Sequence, residues 1–392
     1  MTVVVPTLTA TKLHSPSKLL FDEVLAQSDY RSLCENSVAA IAAAVRTTLL
    51  EDPQFLASTD GGVFTARDEK QVVLIAPRLR TPVQLPIRVG EKILCRLSIP
   101  SFRFHPAAQA GVATRGDAIA LLRWLRDTRS REAIKFTEVL TNSPLYEALD
   151  VARSLGYHVL DNYPAPHLFH HFKDSYEAFV NGKPGKLRSQ YRTKAKLFHE
   201  RFGTEYTLKE YRLVDEVSPF LEAASSINKR TYQYRLFDEE VNNDTETRSY
   251  YASLAQRKNF RSFVLWHQST PLCFILGSQS SDGIFDYRKT GYDPTWRECF
   301  PGINCTMQML MRLYENDRPR VIDFGGGDAR YKRLFATDVA SSASPILLPD
   351  AVFYSPSALM YIASVRLNEV AIAILDRFGV KDRVKRVLRG KA

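Results

Sequence analysis

The chain has 392 residues, of which 45% are hydrophobic and 24% charged, with 22 Phe and 18 Tyr. That composition excludes a globally disordered chain, and the length exceeds the roughly 250 to 300 residues at which single cores split, so two domains are expected. A net charge of +10 favours anionic partners, among them nucleotide cofactors, nucleic acid and anionic membrane surfaces.

The opening Met1-Thr2-Val3-Val4-Val5-Pro6 lacks a basic segment before an apolar one, and no later stretch approaches the roughly 18 uncharged apolar residues of a membrane span. A cytoplasmic protein without a spanning helix is expected. Cys34, Cys95, Cys273, Cys299 and Cys305 are widely spread and form no CxxC pair, which predicts reduced thiols and no metal site.

Ala-rich Ser37–Leu50 predicts a helix with Ser37 as its cap. Gly62–Ala66, Gln71–Pro77 and Lys92–Ile99 are short β-branched segments between turns and predict an antiparallel meander. Helices follow over Asp117–Thr128 and Ser143–Leu155, then a strand over Tyr157–Tyr163. Pro164 and Pro166 mark a domain boundary between residues 165 and 180.

Beyond it, Lys186–Phe202, Val217–Tyr232 and Glu246–Arg257 predict helices. Phe260–His267 and Leu272–Ser278 form a hairpin, Ile284–Tyr292 continues the sheet, Ile303–Asn316 is a helix and Arg320–Phe324 a strand, in the order β-β-β-α-β. Ser357–Leu388 is an amphipathic helical tail ending in six cations between Lys381 and Lys391. Such a tail suits either an anionic membrane or packing against the domain.

Five landmarks in the C-terminal half occur in order: Lys186-Leu187-Arg188-Ser189-Gln190-Tyr191-Arg192, the Phe260–Ser278 hairpin, Gly291-Tyr292-Asp293, Pro301-Gly302, and Asp323-Phe324-Gly325-Gly326-Gly327-Asp328-Ala329-Arg330-Tyr331-Lys332. With them the chain resembles the GNAT-like acyltransferases of cellulose and exopolysaccharide biosynthesis, the CelD-like family, although three glycines stand where that family usually has one or two. The resemblance covers roughly residues 90 to 340. It implies a mixed α+β (α/β mixed) architecture of two tandem GNAT-like domains, with mixed, largely antiparallel sheets flanked by helices, as in the Fem-type aminoacyltransferases. The expected divisions are residues 1–170, 171–350 and a tail over 351–392.

The implied activity moves an acyl group from acyl-CoA, acetyl-CoA or an acyl carrier protein to an amine or hydroxyl of a sugar, glycan precursor or amino-acid-like acceptor. Alternatives are a Fem-type tRNA-dependent aminoacyltransferase and a non-catalytic GNAT-like binding module. Acyl transfer needs a phosphate cradle, a base and an acid for the leaving thiolate. Arg297, Gly302, Ile303 and Asn304 lie between a strand and a helix, where free N–H groups bind phosphate; a plain turn capped by Asn304 is the alternative. Lys332 suits phosphate or a substrate carboxylate.

Asp323 at a strand end and Asp328 after the glycines are candidate bases, and Tyr331 or Tyr287 the acid; a solvated loop with Tyr331 as a core anchor is the alternative. Asp286, Arg288, Lys289 and Tyr292 are candidate acceptor contacts. Strand alternation places Asp286 and Arg288 on one face, Tyr287 and Lys289 on the other. Cys305 reads as a buried cysteine in preference to an acyl-cysteine nucleophile. His167, His170 and His171 lack metal-site spacing and are assigned to a boundary loop or sheet edge. The basic stretch Lys183–Arg201 suits a solvated helix face, a phosphorylated or polymeric substrate or tRNA, although nucleic acid is not favoured. Localisation is expected to be cytoplasmic; peripheral contact at the inner membrane face through the tail is the alternative to its packing against the domain.

Overall fold

The computed structural model describes residues 19–24, 33, 61–68, 71–79, 82–89, 92–104, 108–231, 241–280 and 283–377. The predicted Ser37–Leu50 helix and the basic end of the tail lie outside them. The chain divides into two compact units, one holding the described residues up to Pro164 together with those from Ala343 onward, the other running from Ala165 to Ser342.

The first unit is built on a sheet in the order Leu20–Val24, Gly61–Asp68, Gln71–Leu79, Ser101–Phe104, Ala133–Lys135, Ile346–Pro349 and Tyr157–Leu160. Alternation sends Phe64, Phe102, Phe104 and Ile134 to one face, where helix Arg115–Thr128 covers them. That helix buries Ala118, Leu121, Leu122 and Leu125, one stripe of a 3.6-residue period. It begins at Thr114, whose hydroxyl oxygen accepts the Asp117 N–H at 3.1 Å.

The predicted meander is two separate pairings. Gly61–Asp68 pairs with Gln71–Leu79, whereas Val83–Val89 and Lys92–Ile99 form a two-stranded sheet of their own. Val83, Leu85 and Ile99 turn towards the second face of the main sheet and meet Ala133, Ile346 and Leu348 there. The predicted Ser143–Leu155 helix is broken into Pro144–Glu147 and two short 3-10 turns.

The C-terminal segment does not stand apart as a tail. Ile346–Pro349 inserts between Ala133–Lys135 and Tyr157–Leu160, and helix Pro356–Arg377 buries Ala358 and Tyr361 in the first unit. Tyr361 donates to the carboxylate of Asp161 at 2.7 Å. Helix burial therefore uses part of the apolar face read from the sequence, while Leu359, Met360, Leu367, Val370 and Ile374 remain exposed. Among the described residues, no helix is long and apolar enough to cross a membrane.

The second unit begins with strand Ala165–His171, which the expected boundary at residue 170 would have cut. Its sheet runs Tyr206–Tyr211, Ser262–His267, Thr270–Gln279, Ile284–Tyr292, Val321–Gly326, Ala165–His171, Asp338–Ala343. All neighbours are antiparallel except Ile284–Tyr292 with Val321–Gly326. On one face Phe263, Leu265, Ile275, Phe285 and Ile322 pack against Phe198 and Phe202 of helix Gly185–Phe202 and Met309, Leu310 and Leu313 of helix Pro301–Glu315. On the other, Val264, Phe274 and Leu276 meet Phe220, Leu221 and Ile227 of helix Val217–Asn228 and Leu254 of helix Thr245–Gln256.

Two glycines are required by this packing: a Cβ on Gly277 would lie 2.6 Å from the Phe285 ring, and one on Gly291 would lie 2.6 Å from the Phe274 ring. A third constraint is Arg261, fully buried, whose guanidinium donates to Glu210 at 2.8 Å and to the Asp317 carbonyl at 2.7 Å. It joins the strand Tyr206–Tyr211 to the end of helix Pro301–Glu315.

Candidate active site

The parallel strands stay together only briefly. Ile284 pairs with Val321, Phe285 with Ile322 and Asp286 with Asp323, and there the pairing ends. Ile284–Tyr292 then keeps company with Thr270–Gln279, and Val321–Gly326 with Ala165–His171. The sheet forks, leaving backbone groups on both arms open to a ligand and placing two carboxylates at its base.

The arm ending in glycines is shaped by a register shift, because His167 pairs with Gly326 while Phe169 pairs with Asp323. The extra residue lies beside Gly325, whose φ of 72° is a conformation glycine adopts without strain. Gly327, with φ of 96°, turns the chain back and donates its N–H to the Pro166 carbonyl at 2.8 Å. The bulge brings Asp323 and His167 together: His167 Nε2 is 2.7 Å from Asp323 Oδ1, and its Nδ1 is 3.0 Å from the Ser342 hydroxyl.

A carboxylate oxygen only accepts, so the imidazole carries its proton on Nε2, and in the neutral ring Nδ1 accepts from Ser342. Gly325 N–H donates to the same Oδ1 at 2.7 Å. Oδ1 is thus held twice, while Oδ2 has no partner among the described residues. His167 and Ser342 are buried, and the Asp323 side chain is 28% exposed, so Asp323 alone of the three presents itself to an incoming reactant.

The other arm leads into the helix start. Helix Pro301–Glu315 begins at Phe300, which has a left-handed backbone (φ 52°) and supplies no side-chain cap. Ile303 and Asn304 N–H groups turn onto the Phe300 carbonyl, but the Gly302 N–H has no partner among the described residues. The Lys194 ammonium lies 5.4 Å from the Phe300 ring centre. Partial burial and the neighbouring Arg330 guanidinium pull the Lys194 pKa down. Lys194 and Arg330 make no ion pair among the described residues, so an open N–H and two cations gather at this helix end.

Between the arms, Tyr287 is buried, its ring 5.2 Å from Phe324 and 6.4 Å from the partly buried Tyr331. The Thr306 hydroxyl spends its proton on the Gly302 carbonyl at 3.0 Å, so Tyr287 donates to Thr306 at 3.3 Å. Burial pushes the Tyr287 hydroxyl pKa well up, which keeps it protonated.

The remaining sequence candidates are distributed as follows. Asp286 and Arg288 share a face as a 2.8 Å ion pair, and Arg288 also donates to the Tyr250 hydroxyl. Lys289 is half-buried further along the strand, and Tyr292 packs over Gly302 with 40% exposure. The Asn304 amide is committed to the carbonyls of Lys194, Cys299 and Phe300, tying the helix start to helix Gly185–Phe202. Ile303 packs against the core, Arg297 is paired with Glu298, and Lys332 donates to the Gly326 carbonyl at 2.9 Å, bracing the glycine loop.

Asp328 is exposed and ion-paired to Arg333, which holds its carboxyl below the usual range and makes it a poorer base than a free carboxylate. Cys305 is fully buried and burial pushes its thiol well up, against a nucleophile. His170 is enclosed between the Phe335 carbonyl and the Tyr314 hydroxyl. His167, Lys194 and Arg330 were not singled out for the site by their sequence context. The assignment of His167 to a sheet edge is corrected: it stands on an interior strand.

Residues 185–333 match the family model described as an acetyltransferase (GNAT) domain. No curated protein sequence matches the chain. Among solved structures, a conserved protein of unknown function from Bacteroides thetaiotaomicron is similar at 11% identity over 84% of this chain and 100% of that one, with a TM-score of 0.50. FemX is similar at 12% identity over 80% of this chain and 96% of its own, also with a TM-score of 0.50. These are likenesses of fold. The architecture is that of two GNAT-like units in tandem, each a mixed sheet flanked by helices.

Proposed function

We propose that the second unit is an acyltransferase that carries an acyl group from a CoA thioester to an amine or hydroxyl, with Asp323 as the base. The observation that supports it is the Asp323 carboxylate at the base of the fork, one oxygen held by His167 and Gly325 and the other open. Oδ2 is positioned to take the acceptor's proton as the new bond forms. His167 is a positioning residue that holds the carboxylate's rotamer, itself oriented by Ser342.

The residues of the helix start fit the donor's diphosphate: the Gly302 N–H points outward from the helix, and Lys194 and Arg330 supply charge. When bound, the donor supplies the activated carbonyl. Tyr287, kept protonated by burial and linked to Thr306, is the candidate acid for the departing sulfur. The Asp286–Arg288 pair beside the fork suits an acceptor rich in hydroxyls or carrying both charges, such as a sugar, glycan precursor or amino-acid derivative. A carrier protein presents the same phosphopantetheine thioester and is an alternative donor.

Thermal unfolding with CoA, acetyl-CoA and longer acyl-CoAs tests the donor, because a ligand at a hundred times its Kd adds about 2.7 kcal/mol. A chain-length-dependent shift, followed by turnover that is lost in Asp323→Asn while the shift remains, supports the proposal. Full turnover in Asp323→Asn would remove Asp323 as the base. Absence of any CoA-linked shift, with salt-sensitive binding of charged tRNA, would favour aminoacyl transfer instead.

A further inference from the structure

The first unit contains a second parallel pairing of the same length. Ser101 pairs with Ala133, Phe102 with Ile134 and Arg103 with Lys135. Phe102 and Ile134 enter the core. Alternation therefore sends Arg103 and Lys135 together to the opposite face, beside each other on adjacent strands.

Both side chains are half-buried, and neither guanidinium nor ammonium makes a hydrogen bond or ion pair among the described residues. Burial pulls both pKa values down, and the Arg103 charge lowers that of Lys135 further. The carboxylate acting on Lys135 is Asp161, which lies beyond ion-pair distance and accepts the Tyr361 hydroxyl on both oxygens at 2.7 Å. Like charges held together without counter-ions oppose folding. A bound anion would relieve that cost.

We propose that Arg103 and Lys135 form an anion site on the first unit that takes a phosphate group. A dianionic phosphate neutralises both cations, whereas one carboxylate neutralises only one. Arg103 offers a planar fork of donors and Lys135 a point charge, the pairing that suits tetrahedral oxyanions. The phosphate belongs either to a phosphate monoester or to a nucleoside diphosphate, two sources of the same chemistry. The site is independent of the acyl-transfer proposal: the titrations are made with CoA at saturation, so that the diphosphate site proposed at the Gly302 helix start is occupied and the binding lost in the Arg103 and Lys135 variants reports the first unit alone.

Isothermal titration of the full chain with inorganic pyrophosphate, glucose 1-phosphate, UDP and acetate provides the test. Pyrophosphate should bind, acetate should bind at least tenfold more weakly, and R103Q and K135Q should each weaken pyrophosphate roughly tenfold or more. Without ligand both variants should unfold at the parent temperature or above it, since each removes a charge that has no ion-pair partner among the described residues; a structural role would lower that temperature. Stronger binding of glucose 1-phosphate would identify a monoester site and stronger binding of UDP a nucleoside diphosphate site. Pyrophosphate binding that survives intact in both variants, no binding of any phosphate, or a clear fall in the ligand-free unfolding temperature of both variants would overturn the proposal.

Discussion

Each unit pairs two strands in parallel over three residues, and each puts two like charges at the third position. In the second unit they are Asp286 and Asp323; in the first they are Arg103 and Lys135. The helices that follow the first strand of each pair differ in the same sense. Helix Arg115–Thr128 is capped by Thr114 and carries Asp117 in its first turn, so its positive end is answered from within. Helix Pro301–Glu315 has no such cap and leaves the Gly302 N–H open. The same short parallel pairing thus carries a proton acceptor in the unit whose helix end is open and a pair of cations in the unit whose helix end is closed.

The largest expected effect breaks the base of the second fork. Asp323→Asn should lower kcat/KM for the acceptor by roughly 10²- to 10⁴-fold while leaving donor binding unchanged, a split measured by steady-state kinetics beside a thermal shift with the donor. His167→Gln should cost about tenfold and move the pH profile, which a purely structural role would not do. A comparable change at the first unit's parallel pair, Arg103→Gln, should leave turnover unaltered when the acceptor carries no phosphate.

Arg261→Ala should destabilise the second unit by about 3 kcal/mol, because it removes a buried guanidinium that ties Glu210, Gln279 and the Asn316 and Asp317 carbonyls together, although Glu210 keeps Arg212 and Arg312. Urea unfolding followed by aromatic fluorescence reads this, and a loss below 1 kcal/mol would show that water replaces the guanidinium. The first unit's transition should be unmoved.

His170 supplies a pH signature confined to the second unit. Burial is the main reason its pKa falls to about 4 from the ordinary 6.5. The unfolded chain therefore binds the proton more readily than the folded one between those values. Stability is fully present above about pH 6.5 and declines as pH falls towards 4, by up to about 3 kcal/mol. Replacing His170 by Gln should flatten that slope in unfolding curves measured from pH 4 to 7. The smallest effect belongs to the first unit: Thr114→Ala removes a helix cap and should cost about 1 kcal/mol by thermal unfolding.

Much of the second sheet was legible because its strands alternate cleanly. Ile284–Tyr292 was expected residue for residue, and the flanking hairpin and helix were displaced by only a few positions. The first unit was less legible: the meander was read from three segments, and the unread strand Val83–Val89 gives Lys92–Ile99 a hairpin partner of its own. Val83, Leu85 and Ile99 of that hairpin pack against Ala133, Ile346 and Leu348. The amphipathic pattern of Pro356–Arg377 was equally compatible with a membrane surface, and tertiary packing of Ala358 and Tyr361 engaged part of it.

By itself the sequence determined the β-β-β-α-β order over residues 260–324, the glycine-rich turn and the presence of Asp323 near a strand end, because these follow from local periodicity and backbone preference. Only the tertiary structure decided that His167, 156 residues away, would hold that carboxylate, and that Arg103 and Lys135 would face each other across two strands. Side-chain period and turn chemistry act over a few residues, whereas strand order and register join residues far apart in the chain, and no local pattern encodes which distant strand will be the neighbour.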